Sequence, residues 1–251
     1  MNALAIGAIV FLCVFGGALF GISVGPRLPD HHLNAESKDV IKLAIALIAT
    51  MSALVLGLLI ASAKTAYDTR SSQLATMSAE IVVLDRLLAH YGPETKDIRA
   101  ALRRLVAAGL ARYWPADAAR SVSFKPDGSP AEALYDSIEK LSPQNDAQRS
   151  LQNRAMNTAI AVGHSRLLLF EGIGSSIPYP FLLILVFWLT IIFASFGLFA
   201  PRNPTVIAIF VVCALSVSTA IFLIIELDRS FEGILRVSSA PLRTALAALG
   251  R

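Results

Sequence analysis

Four segments of the chain contain no charged side chain and are mostly apolar: residues 1–26, 43–63, 172–201 and 203–225. A helix needs about 20 apolar residues to cross the hydrocarbon of a bilayer. Inside hydrocarbon a helix also satisfies its own backbone polar groups. The sequence therefore predicts an all-α integral membrane protein with four transmembrane helices, at about residues 4–24, 40–63, 179–200 and 205–225.

The second span continues well beyond its apolar segment. Between Lys64 and Tyr91 the chain has no Pro or Gly, and Gly92-Pro93 then ends the run. Apolar side chains recur at alternating intervals of three and four residues, a period typical of a helix that packs against another helix. They are Leu74, Met77, Ile81, Leu84, Leu88 and Tyr91. We expect residues 40–91 to form one helix that crosses the membrane and extends into water.

Residues 64–171 carry the acidic and basic side chains of an ordinary soluble region. Helices are predicted at about 94–113, 131–141 and 144–171, and the last repeats the alternating spacing of the second span's extension. Its apolar face comprises Leu151, Ala155, Thr158, Val162, Ser165 and Leu169. We expect the extensions of spans two and three to pack antiparallel in a cytosolic helical bundle. The predicted regions are thus 1–63, 64–171, 172–225 and 226–251.

The helix predicted at 94–113 has two distinct faces. Its apolar positions are Ile98, Leu102, Leu105 and Gly109, and Lys96, Arg99, Arg103 and Arg104 lie elsewhere on its surface. The basic stripe is either a solvated face or a contact for anionic lipid or an acidic partner. The loop around 121–130, with a turn signature at 126–128, is a second candidate contact surface.

Orientation follows from the distribution of Lys and Arg, because cytoplasmic loops are enriched in both. Four spans place the N-terminus, residues 64–171 and the tail on one side of the membrane. The basic residues near that side are Lys64, Arg70, Arg154, Arg166, Arg229, Arg236, Arg243 and Arg251, against Arg27, Lys38, Lys42 and Arg202 on the other. The sequence therefore predicts a plasma (inner) membrane protein with both termini in the cytoplasm.

Small and polar residues within the spans predict helix packing. Gly17, Gly21 and Gly25 recur at four-residue intervals, so one face of the first span is nearly bare backbone and permits close approach of another helix. The polar residues of the fourth span are Ser216, Ser218 and Thr219, which either bond their own backbone or line a pore. Because both faces are poor lipid-facing surfaces, we expect a homo-oligomer.

Two further features concern the spans. Cys13 and Cys213 lie inside spans without neighbouring ligands, so we interpret them as small residues packed against other helices. The first span has no Lys or Arg before it and no clean A-x-A cleavage site, which favours a retained helix over a signal peptide.

Searches for catalytic motifs give no candidate: the sequence has no G-x-S-x-G, P-loop, dinucleotide fingerprint or H-E-x-x-H. We therefore predict that the protein is not an enzyme, has no cofactor and does not bind nucleic acid. Asp30, His31 and His32 form either a metal site or a solvated loop. Adjacent side chains do not converge, which favours the loop.

Charged residues at the end of the fourth span are the strongest candidates for function. An acidic residue opposes the macrodipole at a helix C-terminus, so Glu226 and Asp228 need compensation, and Arg229 is placed to offset Glu226. The cluster is either a structural clamp or the cytoplasmic entrance of an ion pathway. Beyond it, Pro241 predicts the first turn of a last amphipathic helix with Leu242, Leu246 and Leu249 on its apolar face.

The tail carries a family resemblance. Residues 226–238 read Glu-Leu-Asp-Arg-Ser-Phe-Glu-Gly-Ile-Leu-Arg-Val-Ser, which resembles the closing motif of the bestrophin-like family of bacterial four-span membrane proteins. Tyr67-Asp-x-Arg70, Leu84-Asp-Arg86 and Tyr91-Gly-Pro93 resemble the central signature of the same family. The resemblance covers nearly the whole chain and implies a distant similarity to bestrophins, which are pentameric anion channels with a cytosolic helical region.

This chain departs from bestrophins at two places. The second span lacks their aromatic neck, and the acidic run of their calcium clasp is missing, so no bestrophin pore residue is carried over. The resemblance implies an oligomeric ion channel for inorganic anions. If the apolar second span lines its axis, we expect Ile41, Ile45, Ile48 and Leu56 to form constrictions that gate by dewetting. Packing against lipid or helices is the alternative role for these residues. The alternative function is a non-conducting membrane scaffold or sensor whose cytosolic helices bind a partner.

Overall fold

The computed structural model of the chain describes residues 2–27, 29, 35–114, 130–170, 179–229, 231 and 233–250. Within these residues the long elements are all helices: α1 (Ala3–Val24), α2 (Ala35–Tyr91), α3 (Lys96–Tyr113), α4 (Pro130–Glu139), α5 (Asp146–Phe170), α6 (Tyr179–Phe199), α7 (Pro204–Asp228) and α8 (Ala240–Ala248). The all-α prediction is confirmed. Asp30, His31, His32 and residues 121–129 lie outside the described residues, so the metal and contact-surface hypotheses for them stay predictions.

Four helical segments are long and apolar enough to cross a membrane. They are Ala3–Arg27, Lys38–Tyr91, Pro180–Phe199 and Pro204–Asp228, which agree with the predicted spans. The chain is therefore a multi-pass membrane protein. The long helix is also confirmed, because α2 runs for 57 residues without a break, or about 85 Å at 1.5 Å per residue.

The described chain divides into two units. The first unit comprises Met1–Tyr67 and Ser175–Arg236. In it α1 packs against both α6 and α7, and the apolar core includes Val14, Ala18, Leu185 and Ile221, none of which is accessible to solvent. Apolar side chains of α2 join the same core.

Close approach of α1 to α6 depends on glycine. A Cβ on Gly17 would lie 2.8 Å from the carbonyl oxygen of Thr190, and a Cβ on Gly21 would overlap the backbone of Ala194. Gly197 of α6 meets the backbone of Ala18 in the same way. The predicted packing face is confirmed, but its partner is a helix of the same chain. The glycine face is thus covered within the chain and gives no support for a homo-oligomer, which stays a prediction.

The second unit comprises Asp68–Gly174 and Val237–Arg251. The predicted apolar face of α2 is confirmed, since each of its six members from Leu74 to Tyr91 is at most 5% exposed. Glu80 of α2 accepts a hydrogen bond from Ser165 of α5 at 3.0 Å, and Gln148 of α5 donates to the carbonyl of Tyr91 at 3.1 Å. Residue numbers rise along α2 as they fall along α5, so the two helices are antiparallel as predicted. The cytosolic location of this bundle stays a prediction.

The end of α2 is capped by side chains. The last four carbonyls of a helix lack intrahelical partners. The hydroxyl of Thr95 lies 2.5 Å from the carbonyl oxygen of Leu88. The side-chain amide of Gln148 donates a hydrogen bond to the carbonyl oxygen of Tyr91. Gly92 takes a φ of 143°, which suits glycine and ends the helix. The hydroxyl of Tyr91, however, is buried without a hydrogen-bond partner among the described residues.

We expect Tyr91→Phe to make the protein more resistant to alkaline unfolding. Burial, and then the nearby charge of Glu94, raise the pKa of the Tyr91 phenol above its ordinary value. The raised pKa means that stability is fully present below pH 10 and is lost as the pH rises through the folded-state value. Thermal unfolding at pH 8 and pH 11 checks this. The variant should lose less stability than the wild type between the two, and an equal loss would contradict it. Tyr113→Phe, at a half-buried tyrosine, is the control.

The apolar face of α3 differs from the prediction at two positions. The buried residues are Ile98, Leu102, Val106 and Leu110, rather than Leu105 and Gly109 in the second half. The physical reason is that α3 is covered by both α4 and α8, so its buried face turns toward a second partner. Helix α8 has its proline in the first turn and buries Leu242, as predicted. Leu246 is half-buried, and Leu249 is buried but lies just beyond the end of the helix.

The basic stripe of α3 is exposed at Lys96, Arg103 and Arg104, but it is not a wholly free surface. The guanidinium of Arg99 forms two hydrogen bonds of 2.8 Å to the carboxylate of Asp85, which is 1% exposed. Arg103 donates to the carbonyl of Leu249 at 3.4 Å. Arg104 remains exposed. Two of the four basic residues therefore connect α3 to other elements of the second unit.

Candidate functional site

Helix α2 presents two apolar faces within the first unit. The bundle face carries Ile41, Ile45, Ile48 and Leu56, which pack against the apolar core. The open face carries Val40, Leu43, Leu47, Leu54 and Leu58, which are 64–73% exposed. Both faces follow helical spacing, because intervals of three and four residues return to the same side of a helix. A single apolar helix thus has one side against its own chain and one side available to lipid or to another copy.

The residues predicted to form pore constrictions lie on the bundle face. Ile45 is 7% exposed, and Ile41, Ile48 and Leu56 are partly buried against the core. Their conducting role stays a prediction. Sequence reasoning did not single out the open face, although its signal was present in the spacing of Leu43, Leu47, Leu54 and Leu58.

Polar and thiol groups of the spans have local explanations. Ser216 and Thr219 donate to carbonyls one turn earlier in α7, at 2.8 Å each, and Ser218 donates to Leu215 at 3.0 Å. The prediction that they bond their own backbone is confirmed. Cys13 and Cys213 are free thiols exposed on the single chain. They do not pack against its other helices, which corrects the sequence interpretation.

The carboxylate of Glu226 is held at the end of α7 by backbone amides. Glu226 is 5% exposed, and one of its oxygens accepts hydrogen bonds from the N–H groups of Ile234 at 2.7 Å and Leu235 at 3.3 Å. Hydrogen bonds to a charged acceptor are roughly twice as strong as neutral ones. They compensate an acid placed against the helix macrodipole.

Gly233 allows the chain to turn back over this carboxylate. Its φ is 87°, a conformation that favours glycine, and an added Cβ would collide with the Glu226 side chain. The next residues are tied to α2, where the hydroxyl of Tyr67 donates to the carbonyl of Arg236 at 3.3 Å. Successive contacts therefore join α7, residues 233–236 and α2.

Arg229 does not provide the compensation predicted from its i+3 position. Among the described residues no ion pair joins it to Glu226, whose partners are the two backbone amides. Arg229 is half-buried and Asp228 is buried. Glu226 thus holds the turn at residues 233–235, while the roles of Glu226, Asp228 and Arg229 as a structural clamp or as an ion entrance both stay predictions.

We expect Glu226→Gln to loosen the turn at residues 233–235. The amide oxygen of glutamine is a weaker, uncharged acceptor, and its NH₂ group cannot accept from a backbone N–H. A lost charge-assisted bond of about 1.5 kcal/mol corresponds to roughly tenfold faster local opening. Hydrogen exchange at the Ile234 and Leu235 amides measures this directly. The control is Glu132→Gln, at an exposed carboxylate of α4. Unchanged exchange in Glu226→Gln would contradict the clamp.

Comparison with known proteins shows which protein family the chain resembles. The model of the bestrophin-like domain family matches residues 12–242. The match includes most of the first span, the other three spans, both faces of α2 and Glu226. No curated protein and no solved structure matches the chain.

Proposed function

Since the chain belongs to the bestrophin-like family, we propose that it is an ion channel, built from several identical copies, that conducts inorganic anions. The observation that carries the proposal is the exposure of α2. Within the chain 17% of its span is buried, against 28–33% for the other three spans. A helix with so little cover from its own chain is the best candidate to meet the same helix of other copies around an axis.

Gating would follow from the apolar character of α2. Residues 43–63 contain no charged side chain, so a narrow axis between several copies would be lined by hydrocarbon. Water leaves an apolar constriction, and ions cannot cross it until the constriction widens. The bundle-face residues Ile41, Ile45, Ile48 and Leu56 are one proposed set of constriction residues. Leu47 and Leu54 on the open face are the other.

We further propose that the channel lies in the inner membrane of a bacterium, with both termini and residues 64–171 in the cytoplasm. The proposal is supported by the excess of Lys and Arg near that side. In this orientation the Glu226 clamp lies at the cytoplasmic end of α7. If it borders the ion pathway as well as holding the turn, Asp228 and Arg229 would contribute charge to the entrance.

Chloride flux from liposomes that contain the purified full chain tests conduction. We expect flux above that of empty liposomes, and a several-fold increase for Leu54→Ala because a smaller side chain widens an apolar constriction. Leu56→Ala tests the bundle face in the same assay. The matched control is Leu223→Ala, at an exposed leucine of α7. Absence of flux for chloride, nitrate and bicarbonate at several potentials would contradict a channel.

One observation favours the alternative function, a membrane scaffold or sensor. Val83 of α2 and Ile160 of α5 are 49% and 54% exposed in the second unit. The antiparallel register places them at about the same height of the helix pair. Exposed apolar residues outside the spans suit contact with a protein partner or another copy. If Val83→Ser and Ile160→Ser change the assembly of the protein but leave chloride flux unchanged, the result would favour a scaffold or sensor.

A further inference from the structure

We propose that an open cavity in the first unit binds the phosphate group of an anionic membrane phospholipid. The cavity has a volume of about 300 Å³ and lies where α1 and α6 end and α2 begins. Its lining comprises Ile22, Gly25, Pro26, Lys38 and the segment from Leu198 to Arg202. The proposal does not rest on ion conduction.

Among the described residues that line the cavity, two side chains are basic and none is acidic. Lys38 forms no ion pair with any residue whose side chain is described. The neighbouring Asp39 is engaged elsewhere, because its carboxylate lies 3.2 Å from the ammonium group of Lys42. The cavity therefore offers one ammonium and one guanidinium group to an anion, a pairing suited to a phosphate with several acceptor oxygens.

Arg202 is fixed in place by the end of α1. Its guanidinium donates to the carbonyl of Ile22 at 3.2 Å, and that carbonyl is among the last four of α1, which lack intrahelical partners. One N–H is used in this bond, whereas a guanidinium has five. The hydrogen bond thus holds the group at the cavity and leaves donors for a ligand.

The position of the cavity selects a lipid over a soluble anion. Ile22 and Leu198 lie in the last turns of two transmembrane helices, so the cavity is at the depth of lipid headgroups. The remaining lining is largely apolar, and Ile41 and Ile45 follow Lys38 on the same side of α2 at intervals of three and four residues. A ligand with a phosphate and two acyl chains would contact both the basic side chains and the apolar lining of the cavity.

Lipid binding to the purified full chain tests the proposal, with native mass spectrometry and thermal unfolding as readouts. The probes are phosphatidylglycerol, phosphatidylcholine and inorganic phosphate. We expect phosphatidylglycerol to bind and to raise the unfolding temperature more than either of the others. Lys38→Gln should weaken its binding by roughly fivefold, the effect of one basic residue near an anionic lipid.

The matched control is Lys42→Gln, which removes the same charge at the same end of α2 from a residue that does not line the cavity. It should leave lipid affinity unchanged. Arg202→Gln is a second test, with hydrogen exchange as a check that the end of α1 stays folded. Equal effects of Lys38→Gln and Lys42→Gln would contradict the site and indicate general surface charge. Equal stabilisation by inorganic phosphate would contradict a lipid ligand, and no preference for phosphatidylglycerol would overturn the proposal.

Discussion

Gly21→Val should destabilise the first unit more than any other single substitution considered for that unit. Even the Cβ of the new residue would overlap the backbone of Ala194 and lie 2.8 Å from the amide nitrogen of Leu198. Backbone atoms cannot move aside as a flexible side chain can, so α1 and α6 must separate. Overpacking a close-packed core costs typically 1–3 kcal/mol, and we expect at least about 3 kcal/mol here.

Gly16→Val is the matched control for this prediction. It adds the same side chain to the same helix, but a Cβ on Gly16 meets nothing within 4 Å. Both variants change the intrinsic helix propensity equally, so any difference reports the contact with α6. Thermal unfolding in detergent and the yield of folded protein are the measurements. Equal losses in the two variants would show that α1 and α6 do not pack as described.

Asp85→Ala should cause the largest loss of stability in the second unit. The substitution removes both hydrogen bonds to Arg99 and the bond from the N–H of Gly250 at 3.3 Å. The guanidinium of Arg99 is 20% exposed, so it would be left charged, largely buried and without Asp85. Removing one partner of a buried pair costs about 3–5 kcal/mol.

Asp146→Ala provides the matched control for Asp85→Ala. Its ion pair with Arg149 spans 3.3 Å, but the side chains are 64% and 99% exposed, and such pairs contribute about 1 kcal/mol or less. Denaturant unfolding of both variants compares the two. A loss in Asp85→Ala no larger than in the control would contradict a structural role for the buried pair. The double variant Asp85→Ala with Arg99→Leu should recover part of the loss, since it also removes the buried charge that Asp85 offsets in the wild type.

The pH dependence of this pair follows from Arg99. Its hydrogen bond to Asp85 raises the pKa of the guanidinium, although burial acts in the opposite direction. A raised folded-state pKa gives stability that is present below the unfolded value and lost only as the pH rises through the folded value. The contribution of Arg99 should therefore persist through the alkaline range in which Tyr91 titrates. Comparing the alkaline unfolding curves of the wild type and Tyr91→Phe separates the contribution of the Tyr91 phenol from that of the Arg99 guanidinium.

Helices and their apolar periods were predictable because they are local properties of the sequence. The alternation from Leu74 to Tyr91 identified the buried face of α2 correctly, and the absence of Pro and Gly between Lys64 and Tyr91 predicted that the helix continues beyond its apolar segment. On α3 the same reasoning failed at Leu105 and Gly109. Two partners, α4 and α8, cover that helix, and a single-partner pattern does not describe its buried face.

The partner against which a helix face or side chain packs was harder to predict than the buried face itself. Gly21 was identified as a close-packing residue, but spacing alone does not distinguish a helix of the same chain from one of another copy. The pairing of Arg99 with Asp85 joins two helices across a turn, so it has no signature in either helix. The amides that hold Glu226 carry no side-chain signal at all, although Gly233 marks the turn that presents them.

The central claim is that the open face of α2 meets the same face of other copies around an axis. Cysteine cross-linking in native membranes tests it most directly, in a chain whose Cys13 and Cys213 are replaced by serine. With a short bismaleimide we expect covalent oligomers for Leu54→Cys. We expect none for Leu59→Cys, which is 5% exposed and packs within the chain, or for Leu223→Cys on α7. No cross-link at Leu54→Cys, or equal cross-linking at Leu223→Cys, would contradict the account.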